Sequence, residues 1–378
     1  CVLALCLSML PVSALAAEDA PSNQPTTLLS DDNVAKIEEN EYPTLDEAVN
    51  AAEDGATIEL LADATTKGWN LTKSLTITSA PDLAEKPTVT FEKDGIALWG
   101  KTLTFKGIDV VMNGVGSTPY GEWTWMTICA SKDAVLALDN VNMTMDATGS
   151  TGSPHAIYFC SNNKLNLTNG SVLTIKNYPN DALEWDGGDG GYNVNITNST
   201  FISDHNRSGF TGTFYATITN SKVDVVNNLG NGSNGSHFII EDSEVNFNNN
   251  GSHGLSAGEL SIDNSTVNTK NNNGMGITVN NAFTVENGSI VTVTGNAGNP
   301  SYGYAAVRLY NDYPFTVDST SELYIEDNNN TGLYVRQGNL TVEDGAVLKI
   351  TGNKVSHSLL DGYGGGIYVG YGDNYDPT

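Results

Sequence analysis

A short phrase recurs ten times along this chain: apolar, any, apolar, any, and then Asn or Asp in eight of the ten copies. It is clearest in residues 136–143, 165–172, 194–201, 216–223, 238–245 and 260–267. Taking the second apolar residue as an anchor gives Phe105, Leu138, Leu167, Ile196, Ile218, Ile240, Ile262, Val285, Val317 and Val342. The central anchors, 196 to 285, are spaced 22, 22, 22 and 23 residues apart. Two residues past the anchor stand Asn140, Asn169, Asn198, Asn220, Asp242, Asn264, Asn287 and Asp344; only Gly107 and Ser319 break the column. A unit this short cannot bury its own apolar face, so the copies must stack on one another as a solenoid.

The Asn column needs a physical cause. Asn tolerates left-handed backbone angles, and its side chain bonds nearby amides. Stacked at one turn of every coil, each Asn can bond the Asn one coil away, so this column is expected to form a buried ladder. A second column lies ten residues past the anchor at Asn177, Asn206, Asn228, Asn250 and Asn272, and eleven past it at Asn296, Asn328 and Asn353. Two polar turn columns and two or three apolar columns per coil predict an all-β parallel β-helix. The period exceeds that of the left-handed triangular coil, about 18 residues, and so predicts a right-handed one.

Residues 44–52 predict a short helix. Thr44 and Glu47 form a capping box, and Leu45, Ala48, Val49 and Ala52 follow at helical spacing. Asp54-Gly55 ends it, and a strand begins at Thr57. Laid over the first coil, this helix is expected to cover the open β edge. The expected division is a signal remnant at 1–16, a linker at 17–40, a capping helix and first strand at 41–61, and the parallel β-helix at 62–378.

Composition narrows the partners. The net charge is −27, with 17 basic residues against 44 acidic ones, so no basic stripe exists to meet nucleic acid or an anionic membrane. Such acidity suits solubility in an extracellular medium. Residues 1–16 read as the apolar core of a secretory signal, with Ala14 and Ala16 as its small-x-small site and cleavage after Ala16. No basic segment precedes that core, so the sequence is expected to be clipped at its start, and clipped again soon after Ile367-Tyr368-Val369. Cys6 follows Leu3-Ala4-Leu5, a poor lipobox. No other run approaches a membrane span. Cys129 and Cys160 each close a strand-like run, which places them on adjacent coils roughly 5 Å apart. That separation permits either a disulfide or two stacked thiols.

The order of a capping helix, Gly55-Ala56-Thr57-Ile58-Glu59-Leu60 and then Asn-turned coils resembles the pectin-lyase-like right-handed β-helix superfamily, and within it the adhesin-like surface proteins of Gram-positive gut bacteria. Gly364-Gly365-Gly366-Ile367-Tyr368 after Asn353 also resembles the repeat of chlamydial polymorphic outer-membrane proteins. The resemblance spans residues 42 to 370. It implies the fold. It leaves function open, because the superfamily holds lyases, hydrolases, tailspikes and adhesins without catalysis.

The lyases of that superfamily imply a Lys or Arg base beside calcium-binding aspartates. The nearest approach here is Ser203-Asp204-His205-Asn206-Arg207, which also reads as a solvated turn. The hydrolases imply paired aspartates and a Gly-His-Gly phrase. Gly251-Ser252-His253-Gly254 suggests the latter, but Met275 fills the slot of His253 on the next coil, which points to a structural role. The five histidines sit at different offsets from their anchors, so no stacked metal column is expected. Residues 185–192 hold a single calcium-turn-like phrase, and such turns bind by repetition. What stands out is insertion. The intervals to Leu138, Leu167, Ile196 and Val317 are 33, 29, 29 and 32 residues, and the extra residues must leave the coil as loops. These loops carry Tyr120, Trp123, Trp125, Trp185, Tyr192, Tyr302 and Tyr304. Trp123, Trp125, Trp185 and Tyr192 are therefore the candidate binding residues, since an exposed aromatic ring can stack on the C–H face of a sugar, while the same rings could instead pack over the solenoid's turns. The expected function is a secreted, surface-displayed, non-catalytic adhesin-like or glycan-binding rod. It is expected to be monomeric and to use no metal or cofactor; its partner would be a glycan or a host-surface ligand. The alternative is a carbohydrate-active lyase or hydrolase on the same fold.

Overall fold

The computed structural model describes residues 33–116, 125–150, 152–160, 162–185, 192–297, 305–354 and 365–369. The expected signal at 1–16, most of the linker, and Tyr120, Trp123, Tyr302 and Tyr304 lie outside them. The unit that begins at Asn33 is an all-β parallel solenoid with one short helix.

Each coil contributes a strand to a first, a second and a third face in turn. The anchors form the first face. Phe105 pairs with Leu138, Leu138 with Leu167, Leu167 with Ile196, and Ile196 with Ile218. The anchor pairing then continues through Ile240, Ile262, Val285, Val317 and Val342, with one irregularity before the anchor, between Ser236 and His237. The column also reaches back to Ile77 and Ile58, which the phrase search did not find. Period-two alternation explains this constancy. A slip of one residue would turn every apolar side chain out of the core, and the anchors from Phe105 to Val317 are fully buried. The second face is a 12-stranded sheet from Ala64–Thr66 to Val347–Thr351. The third face starts at Trp69–Leu71 and runs through Met126–Ser131, His155–Cys160 and Leu183–Trp185. Inside, Phe201, Phe210, Phe214, Phe238 and Phe247 pack ring to ring, with centroids 5.0 to 6.5 Å apart.

Both Asn columns are present, but their roles are reversed. The column two past the anchor takes the left-handed backbone, with φ between 42° and 56° at Asn140, Asn169, Asn198, Asn220, Asn264 and Asn287. Its side chains are exposed. Asn220 still donates to Asn198 Oδ1 at 2.6 Å, and Asn264 to Asp242 Oδ1 at 2.5 Å. The buried ladder is the second column. Asn206, Asn228, Asn250, Asn272, Asn296 and Asn328 are at most 1% exposed. Each Oδ1 accepts the backbone N–H of the coil before, from Asn328 onto Asn353 back to Tyr178 onto Asn206. Asn177 is not a member. It holds the exposed turn with φ 61°, and Tyr178 occupies the ladder slot. A third ladder was hidden among the small residues after the first column. Ser221, Ser243, Ser265, Ser289 and Ser321 each accept, through Oγ, the backbone N–H of the serine one coil earlier.

The helix spans Leu45–Ala51, and Thr44 accepts from the Glu47 N–H at 3.2 Å. Asp46 ties it to the first coil by accepting from Thr66 Oγ1 (2.6 Å) and Trp69 Nε1 (3.0 Å). The helix lies over the first coil, as expected, with Leu45, Ala48 and Val49 buried. On the first face, Ala35–Ile37 also pairs antiparallel with Ala56–Leu60 and so covers that strand's edge. An edge can be protected by a paired strand or by a covering helix, and this coil uses both. The solenoid unit begins at Asn33, inside the segment expected as linker. No helix among the described residues is long and apolar enough to cross a membrane.

Candidate functional site on the third face

Insertions enter the repeat before the third-face strands Met126–Ser131 and His155–Cys160. Trp125 is 36% exposed there. Its ring meets the edge of His155 at 5.5 Å and of Tyr158 at 4.8 Å between centroids. A backbone bond from His155 N to Trp125 O, 2.8 Å, locks the two coils together at this point. Tyr158 is buried with Met126 and Cys129 in a small apolar cluster outside the main core, flanked by Trp99 and Cys160. The Trp125 ring is thus held from behind on two sides. A ring so restrained loses little freedom when a ligand settles on it.

Acidic groups adjoin His155. Register pairs Tyr158 with Glu184, and Ala156 N bonds Asp181 O, so Asp181 and Glu184 sit on the coil after His155. His155 Nδ1 touches Glu184 Oε2 and lies 3.9 Å from Asp181 Oδ2. Burial pushes the Asp181 carboxyl above its ordinary range, and Glu184 adds to the rise, while His155, a Ser208 hydrogen bond and Arg207 oppose it. Ser208 is the next residue in this column, and Arg207 stands exposed beside it.

The candidate aromatics are not brought together. Trp125 is on the outer surface. Trp185 pairs with Phe159, a core residue, and packs half-buried against the core, so it is not the open ring that the loop reading expected. Tyr192 lies in the strand Tyr192–Thr197, and Trp123 falls outside the described residues. Another exposed aromatic pair, Tyr215 over His237 at 4.8 Å, went unnoticed in the sequence because these residues are not in an insertion.

The two catalytic look-alikes serve the coil. His253 Nδ1 accepts the Met275 backbone N–H at 3.0 Å. Ser203 donates to Asn228 Oδ1 and Asn206 belongs to the buried ladder, while Asp204 and His205 contact each other on an exposed turn at 2.7 Å. Cys129 and Cys160 are free thiols in contact, and that contact, with burial, holds Cys129 far above the ordinary thiol range. An open groove follows the first turn column past Asn198, Asn220, Lys222, Asp242 and Glu244. Its lining simply repeats coil by coil.

No family model matches this chain, and neither a curated protein nor a solved structure is similar to it.

Proposed function

We propose that this protein is a secreted, surface-displayed β-helix of the pectin-lyase-like, adhesin-like kind, acting as a monomeric glycan-binding rod. The observation that carries this reading is Trp125: a partly exposed indole braced by His155 and Tyr158, with two carboxylates against that histidine, on coils lengthened by insertion. Sugars present an apolar C–H face and a polar rim, and this patch offers a partner for each. The net charge of −27 disfavours nucleic acid as the partner.

The test is a glycan array with wild type and Trp125→Ala. Binding by the wild type that falls at least about tenfold in the variant supports the proposal, since a central aromatic anchor is worth about 2 kcal/mol or more. No glycan bound, or equal binding by both proteins, removes it.

One observation favours a second reading, that of a carbohydrate-active enzyme. Asp181 and Glu184 form a close carboxylate pair with Asp181 raised by burial, and glycoside hydrolysis uses two carboxylates, one protonated. Release of reducing or unsaturated sugars that stops in Asp181→Asn would favour it.

A further inference from the structure

The third face stacks a histidine beneath an acid pair. Ile157 pairs with Leu183, which sets His155 at the start of one strand under Asp181 at the start of the next. Three residues on, Glu184 faces outward in register with Tyr158. One ligand atom from each of His155, Asp181 and Glu184 lies within 4.8 Å of the other two. Among the described residues this is the one such group of three.

Burial makes the cluster more than a surface coincidence. The side chains of His155 and Asp181 are 10% and 5% exposed, and that of Glu184 is 21% exposed. His155 Nδ1 and Glu184 Oε2 touch each other, and neither has a further hydrogen-bond partner. A buried imidazole nitrogen thus faces two carboxylates. Gathering two carboxylates in a half-dry site is costly unless a cation or hydrogen bonds offset it. Protein groups offset it only in part: His155 lies against both carboxylates, Ser208 gives Asp181 a hydrogen bond, and Arg207 lies exposed on the next coil.

We propose that His155, Asp181 and Glu184 bind a divalent first-row cation, with Zn²⁺ the best fit. Two carboxylates match its charge, and an imidazole nitrogen is a favoured ligand of zinc and its neighbours. Three protein ligands leave a fourth tetrahedral position for water. Calcium and magnesium fit poorly, because they require six or more oxygen ligands in total and gain nothing from imidazole. The contact of Trp125 with His155 would make the bound ion a brace for the aromatic patch. The site itself stands on its own three residues and does not depend on the glycan reading.

The test uses the full chain, stripped with EDTA and titrated calorimetrically with ZnCl₂, with CaCl₂ as the comparison. One equivalent of zinc and a raised melting temperature are expected, with far weaker binding of calcium. Glu184→Gln preserves shape and should weaken zinc binding about tenfold or more, since even outer partners of a ligand are worth that much. His155→Ala should do the same, and if it fails to fold, the Glu184→Gln result decides. The thiols Cys129 and Cys160 are the rival zinc ligands, so Cys160→Ser is expected to bind as wild type does. Absence of stoichiometric binding overturns the proposal. So does binding that survives Glu184→Gln, or that vanishes in Cys160→Ser.

Discussion

Truncating Asn250 to Ala tests whether the inner ladder, rather than the outer turn column, holds the coils together. Asn250 is 1% exposed. Its Oδ1 accepts from the backbone N (3.2 Å) and Nδ2 (2.9 Å) of Asn228. Its Nδ2 donates to Val225 O (3.1 Å) and Asn272 Oδ1 (3.0 Å). Alanine leaves the Asn228 N–H buried without its acceptor, which alone costs about 1–3 kcal/mol. Adding the lost amide contacts puts the change near the top of that range, about 3 kcal/mol. Asn220 is different. Water replaces its exposed bond to Asn198, and the remaining cost is that of holding Ala at φ 47°. That cost is about 1 kcal/mol. Asn220→Gly, which adopts positive φ freely, should change stability by no more than about 0.5 kcal/mol. Urea unfolding followed by circular dichroism supplies the midpoints and slopes that convert to these differences. The two positions lie on adjacent coils, so both report on the same stretch of solenoid. The reasoning is refuted if Asn220→Ala costs as much as Asn250→Ala, or if Asn250→Ala stays within about 1 kcal/mol of wild type.

Two further outcomes follow from ionisable groups. Burial raises Asp146, but hydrogen bonds from Asn177, Thr148 and Lys176 outweigh it and hold the carboxyl at about 2 against an ordinary 3.8. A depressed folded value contributes stability that is fully present above the unfolded value and lost as pH falls through the folded one. Asp146→Asn should therefore be less stable than wild type at pH 7, with the gap shrinking below about pH 4 and closing near pH 2; a gap independent of pH contradicts this. Contact with Cys160 and burial both raise the Cys129 thiol, and thiolate is the reactive form. Native protein at pH 8 should thus leave Cys129 unlabelled by a disulfide-exchange reagent that reacts at once in guanidinium, and equal rates in both states would show that the thiol is neither shielded nor raised.

How much was legible in the chain depended on whether a feature repeats. Anchors were, because one alternation sets both the apolar column and its burial, from Phe105 to Val317. The ladders were half legible. In doublets such as Asn227-Asn228, Asn249-Asn250 and Asn271-Asn272, the first residue makes the left-handed turn and the second turns inward. Both tasks suit Asn, so the letters do not say which is which. The serine ladder was harder, since Ser199, Ser221 and Ser243 read merely as small residues until their Oγ atoms are seen to accept backbone N–H groups. The third-face cluster was not legible from anchors at all, because insertions of unequal length separate each anchor from its third-face strand. Counted from the start of those strands, His155, Asp181, Ser208, Asn231, His253 and Met275 fall in one column. The later members serve the fold: Asn231 accepts the His253 N–H, and His253 the Met275 N–H. A column whose downstream members are bound to backbone, and whose upstream members His155 and Asp181 instead converge with the nearby Glu184, has kept the stacking geometry and changed its chemistry. Local departure from the rule that the rest of the chain obeys is where a binding site is expected on a repetitive surface.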